Sequence, residues 1–306
     1  MGVYTSGYNL SVVNASIINC GKDAIRFYSG KSLILRHSVL MDSKRGLSCA
    51  DTTGDACIEG NVIRDNTDDG LYIRLRSKKS AVINDNQIIH NTGTYSCGIE
   101  CNMGGGSVMM KNNTVNDNGN DGVYITGASN VNITNAVIED NRNGYGVYTS
   151  GSNLSVVNAS ITNCGDDAIR FSSGKSLILR DSVLTASKKG LSCLDSTGDA
   201  TIERNVIRDN IDDGLFIIRH GSGKNAIIND NRIIHNTGTY SCGIECSMGG
   251  GSVMMKNNTI NDNADDGVFI SGAEHSILVN NTISSNKGPG IRLHSCTANI
   301  LFHNNL

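Results

Sequence analysis

Tryptophan is absent from the 306 residues, proline occurs once, at Pro289, and charged residues make up only 18%. A helical protein would carry more Ala, Leu, Glu and Lys. No basic excess exists, because 26 Lys and Arg stand against 29 Asp and Glu, so electrostatically driven nucleic-acid binding is excluded. No apolar run approaches the ~18 residues that read as a bilayer span. Met1 leads straight into Gly-Val-Tyr-Thr-Ser, with neither a basic stretch nor an apolar one, so no export signal is read. What is present is 35 Gly and a surplus of Asn, Ser, Thr, Val and Ile, which suit strands joined by tight turns.

The chain repeats itself. Gly2 to Ile73 against Gly146 to Ile217 shows 14 differences in 72 positions, and Ala81 to Ala128 against Ala226 to Ala273 shows 8 in 48. The two halves, 2–145 and 146–290, must therefore share one structure. A shorter period runs inside each half. A small residue followed by a buried aliphatic recurs thirteen times, from Gly2 through Ala24, Gly46 and Gly70 to Gly290, at spacings of 22–29. One residue after the marker is always aliphatic, as at Val3, Ile25 and Leu47, and three after it comes Phe27, Cys49, Ile73 or an equivalent. That period of two is a strand with one buried face.

One such rung cannot bury its own apolar face, so the rungs must stack into parallel sheets around a dry core. Stacking at ~4.8 Å per rung gives a rod about 60 Å long, right-handed by the crossover preference. The expected fold is all-β: a right-handed single-stranded parallel β-helix of about 13 coils, forming one domain over 1–306. Asn61, Asn86, Asn113, Asn135, Asn205, Asn231, Asn258 and Asn281 open successive strands, where stacked amides can hydrogen-bond along the axis. His37, Asp181, Ala15 and Ala159 are expected to interrupt that ladder.

The segments NVIRDNTDDGLYI, NTVNDNGNDGVYITG and NTISSNKGPGIRL resemble the right-handed parallel β-helix repeats of the pectate-lyase-like superfamily, with its NosD-type and carbohydrate-active members. The resemblance spans essentially the whole chain. It implies the β-solenoid fold and a cell-surface or extracellular location, but it leaves function open among lyases, hydrolases, epimerases, tailspikes, adhesins and surface-layer proteins.

In such a solenoid the residue two after each marker points outward. That column includes Tyr72, Glu100, Tyr124, Tyr148, Arg170, Phe216, Glu245 and Phe269, with Asp69, Asp121, Asp167, Asp213 and Asp266 at the preceding corners. Rings, carboxylates and guanidinium groups on a flat face suit a sugar polymer. Tyr72, Tyr124, Tyr148, Arg170, Phe216 and Phe269 are the carbohydrate-binding candidates. Asp69, Glu100, Asp121, Asp167, Asp213, Glu245 and Asp266 are the candidates for acid–base catalysis, with His90 and His235 on the rungs of the glutamates. The same aspartates also serve as plain turn formers before glycine. NCGDDAIRF (Asn163 to Phe171) resembles the aspartate pair of polygalacturonase-type hydrolases, but its counterpart has Lys22 for Asp166. The Gly-His-Gly and Arg-Ile-Lys segments of that family are missing, as is the Asp-Pro-His-Asp pattern of mannuronan epimerases.

The ten cysteines read as buried thiols, since Cys49, Cys101, Cys193 and Cys246 fall in the inward column. No metal and no cofactor is expected. Calcium on the Asp-Asp-Gly corners is the alternative, lacking the Gly-Gly-x-Gly-x-Asp repeat that would support it. No polar cap is read at either end, so either the chain is an excerpt of a longer solenoid or the expected partner is a second copy, stacked head to tail. The first functional expectation is a structural rod in a cell-surface layer, sheath or fibre. The alternative is a polysaccharide lyase, hydrolase or epimerase, or a carbohydrate-binding module using the outward face.

Overall fold

A computed structural model describes residues 2–303 except 77, 220–222 and 298–299, so the closing Asn304, Asn305 and Leu306 lie outside the described residues. Among the described residues every regular element is a strand and none is a helix. The strands form parallel sheets and make about thirteen right-handed turns in all. The chain divides into two compact units, 1–152 and 153–306.

In the first unit the first sheet consists of seven strands, from Val3–Ser6 and Ile25–Tyr28 through Leu47–Thr52, Leu71–Leu75, Ile99–Met103 and Val123–Thr126 to Val147–Ser150. The second sheet runs from Leu10–Val13 to Asn130–Thr134, and the third from Ser16–Ile18 to Val137–Glu139. The second unit repeats the plan, its first sheet running from Ile169–Ser172 to Ile291–His294. Alternation of buried and outward residues dictates these strands: Leu71, Ile73 and Leu75 are sealed inside while Tyr72 and Arg74 point out. The marker positions must be small, because a Cβ on Gly70 would lie 2.7 Å from the Gly98 carbonyl oxygen of the next rung.

Asparagine holds the corners. Asn61 Nδ2 donates to Asn86 Oδ1 (2.9 Å) and Asn86 Nδ2 to Asn113 Oδ1 (3.0 Å), and Asn205, Asn231, Asn258 and Asn281 do the same in the second unit. Asn135 departs from the expected ladder. It is exposed, at φ 53°, and donates instead to Asn112, while its neighbour Ala136 takes the buried place. His37 and Asp181 likewise sit outside the column, which Ser38 and Ser182 occupy by accepting Ala15 and Ala159 amides on their hydroxyls. A second ladder, five residues further on, links Asn66, Asn91, Asn118 and Asn141, and Asn210, Asn236, Asn263 and Asn286.

All ten cysteines are free, and Cys49, Cys101, Cys193 and Cys246 fill the inward column as the sequence implied. One inward residue breaks the apolar rule. Arg219 is 1% exposed, and its Nε and Nη2 have no hydrogen-bond partner, whereas the aligned residue of the first unit is Leu75. Arg219 Nη1 donates to the Gly198 carbonyl, but no carboxylate pairs with the charge among the described residues, and a buried charge that is only partly satisfied costs more than a well-packed apolar side chain in its place. Arg219→Leu is therefore expected to raise the urea midpoint of unfolding, followed by circular dichroism. An unchanged or lower midpoint would mean that the guanidinium is satisfied.

Candidate functional site

The register of the first sheet sets the site. In the first unit Tyr4, Arg26, Ser48, Tyr72, Glu100, Tyr124 and Tyr148 stand one above another on the outward face. In the second unit the column is Arg170, Ser192, Phe216, Glu245, Phe269 and Arg292. In each unit a glutamate thus sits between two aromatic residues.

At the corners of the rungs on either side of Glu100 lie two buried aspartates, Asp69 and Asp121. Asp69 Oδ1 accepts the Cys97 amide (3.0 Å), and its Oδ2 takes Arg45 Nε (3.2 Å). Asp121 accepts the Tyr145 amide (2.7 Å) and stands 3.9 Å from the Cys97 sulfur. Glu100 itself takes Asn102 Nδ2 at 2.7 Å. Burial pushes Asp69 up to about 6, because the Cys97 amide and Arg45 do not offset desolvation together with the charges of Asp68 and Glu100. Burial and the same carboxylates push the Cys97 thiol far above its usual range.

The second unit keeps the plan with different cations. Asp213 Oδ1 accepts the Cys242 amide (2.8 Å), and Lys189 bonds both Asp213 and Asp212. Arg292 grips Asp266 through Nε and Nη2, both at 2.9 Å. Burial first, then Asp213, raises the Glu245 carboxyl. Asp167 stands apart from this cluster, 3.5 Å from Arg170, with its carboxyl raised by burial.

The histidines do not join the glutamates. His90 Nδ1 lies 2.8 Å from Asp65, and His235 lies between Asp209 and Asp262, all beside the third sheet. The aromatic faces are already engaged: Tyr124 and Tyr148 stack at 4.7 Å with a 9° interplanar angle, Arg45 covers Tyr72 at 4.8 Å, and Lys189 covers Phe216 at 4.3 Å. Each of these contacts occupies one face of its ring. Two tyrosines passed over in the sequence do offer open faces. Tyr95 and Tyr240, in the duplicated NTGTYSCG corner loops leading to the glutamate strands, are 84% and 80% exposed. Their signal was the lengthening of those two rungs beyond the others.

The right handed beta helix region model matches residues 97–253 and 241–306. The model described as periplasmic copper-binding protein (NosD) matches residues 1–159. Among curated proteins none matches. Among solved structures the chain is similar to the periplasmic alginate epimerase AlgG in three forms. A single mutant gives a TM-score of 0.69 at 12% identity, over 92% of this chain and 77% of that one. A double mutant gives 0.65 at 13%, over 92% and 75%, and AlgG itself 0.56 at 13%, over 91% and 75%. At such identity the likeness shows the fold alone. The chain belongs to the right-handed β-helix family, with its first half matching the NosD branch of such repeats.

Proposed function

We propose that the chain binds a polysaccharide across the outward face of its first sheet and transfers protons there through Glu100 and Glu245. One observation carries this reading: in both units a half-buried glutamate stands in register between two aromatic residues, with a buried aspartate at the corner of the rung on either side. Buried carboxylates close together cannot all ionise easily, so the cluster retains a proton toward neutral pH, as general acid–base chemistry on a sugar requires. Tyr95 and Tyr240 supply stacking surface at the edge of the face. The neighbouring structures named as alginate epimerases support a polysaccharide ligand, and the printed names support a periplasmic location, which cell fractionation tests.

The description of the NosD family raises copper. The groups of close ligands are Asp69 with Cys97 and Glu100, Asp213 with Cys242 and Glu245, and Cys242 with Asp265 and Asp266. Copper prefers thiolate, thioether and imidazole donors. Here each group offers a single thiol, Cys97 or Cys242, together with two hard carboxylates. No imidazole joins these groups among the described residues. The donor set does not fit copper, and the acid–base reading involves none.

Incubation with a panel of uronate-containing and neutral polymers, read by absorbance of unsaturated products, by reducing ends and by solvent-deuterium uptake into the polymer, tests the proposal. Activity that falls at least 100-fold in the paired Glu100→Gln and Glu245→Gln variant supports it. Full activity in that variant would contradict it. A structural role is a second proposal, favoured by the buried amide ladders that stiffen each unit. It expects end-to-end multimers in light scattering, and a monomer at high concentration would count against it.

A further inference from the structure

The duplication is an internal comparison, and its differences are not evenly spread. Only 22 of the 120 aligned positions differ. The second outward column of the first sheet is the exception. In the first unit it reads Ser6, Tyr28, Ala50, Arg74, Asn102 and Thr126. The aligned residues of the second unit are Ser150, Ser172, Leu194, Ile218, Ser247 and Ser271, so all but the first pair differ. In the column beside it only two of six pairs differ, Tyr72 against Phe216 and Tyr124 against Phe269.

In the first unit this column converges on a buried carboxylate. A register shift between Leu47–Thr52 and Leu71–Leu75 places Asp51 in an extra position at φ 55, 6% exposed. Its Oδ1 takes Arg74 Nε (3.0 Å) and Nη2 (2.6 Å), and Arg76 Nε (3.0 Å) and Nη2 (2.9 Å). Two guanidinium groups on one carboxylate leave one positive charge over. The Nη1 groups of both arginines have no protein partner among the described residues. Arg74 and Arg76 are about half exposed and border an open groove of 560 Å³ that is also lined by Asn102 and Thr126, the next residues of the column, themselves joined by a 2.6 Å hydrogen bond. The groove lies beside Glu100, to which Asn102 is tied.

We infer that this groove is an anion-recognition site present once per chain, in which Arg74 and Arg76, held in place by Asp51, bind a carboxylate or sulfate group on a saccharide. Guanidinium forks whose Nε and Nη2 are fixed by a buried carboxylate present their remaining donors with little entropy left to lose, which is what planar oxyanion recognition needs. The second unit lacks the site, since Ile218 stands where Arg74 does and offers no donor. The inference rests on the proposed polysaccharide reading and names the substrate class that the first unit selects.

Isothermal titration of the full chain separates the two. The probes are a uronate oligosaccharide, a sulfated oligosaccharide and the carboxyl-reduced, neutral form of the first. One charged ligand per chain is expected, bound at least tenfold more tightly than the neutral oligomer and weakened by added salt. The carboxylate and sulfate arms identify the anion. Arg74→Ile, which installs the residue that the fold already carries at Ile218, is expected to remove that tenfold preference while leaving neutral binding unchanged. The milder Asn102→Ser and Thr126→Ser pair, also borrowed from the second unit, checks that a loss is not unfolding. Equal affinity for charged and neutral oligomers, two equivalent charged sites per chain, or an unchanged preference in Arg74→Ile would overturn the inference while leaving the polysaccharide reading intact. Binding of none of the three would overturn both.

Discussion

Asn86→Ala is expected to destabilise the protein by about 4 kcal/mol, the largest single loss foreseen outside the apolar core. Asn86 Oδ1 accepts both the Asn61 amide (3.0 Å) and Asn61 Nδ2 (2.9 Å), while its own Nδ2 donates to Asn113 Oδ1 (3.0 Å) and the Ile58 carbonyl (3.0 Å). Truncation leaves the buried Asn61 amide without a partner, leaves Asn61 Nδ2 with the Leu35 carbonyl alone (3.0 Å), and removes a donor from Asn113 Oδ1 and from the Ile58 and Asn84 carbonyls. Each unsatisfied buried group costs about 1–3 kcal/mol. The exposed Asn135→Ala is the matched control, expected to change stability by no more than about 0.5 kcal/mol. Urea unfolding followed by circular dichroism distinguishes them, and equal midpoints would show that the amide column is not what holds the rungs in register.

Asp69→Asn carries the second large effect, and its sign follows from linkage. Asp69 is 3% exposed, and its carboxyl is raised to about 6 in the folded chain, against an ordinary value near 3.9. The folded state therefore holds the proton more tightly than the unfolded state. Stability contributed by this group is present in full below about pH 4 and is lost as pH rises through 6, by about 3 kcal/mol in all. Asp167, Asp213, Asp266 and Glu245 are shifted in the same direction, so they add to the slope. The wild-type chain should be less stable at pH 7 than at pH 4.5, and Asp69→Asn should flatten that dependence. A pH-independent midpoint in the wild type, or an equally steep one in the variant, would place the charge of Asp69 outside the folding balance.

The solenoid was legible because its signal is local and repeated: a small residue, then inward residues two apart, as in Leu71 and Ile73. Where the sequence misleads, two identical residues compete for one place. Asn112 and Asn113 both precede a strand, and nothing in the pattern says which is buried, so Asn135 was set in a column that Ala136 occupies. The outward column of Tyr72, Glu100 and Tyr124 could be read because register follows from the repeat. What covers the rings could not be read, since the contacts of Arg45 and Lys189 depend on side-chain reach rather than on spacing. The Asp51 groove was hidden for a related reason, because a single extra residue turns that carboxylate toward Arg74 and Arg76.

The outward face of the first sheet is the centre of the account, and affinity electrophoresis through gels containing the polymer panel addresses it most directly. A polymer that retards the wild-type chain should cease to do so when Tyr72, Glu100, Tyr95 and their counterparts Phe216, Glu245 and Tyr240 are each replaced by alanine. Val137→Ala, on the exposed side of the third sheet, should leave retardation unchanged. Equal retardation of all three proteins would show that the polymer is held elsewhere, and migration of the wild type unaffected by every polymer would contradict the account outright.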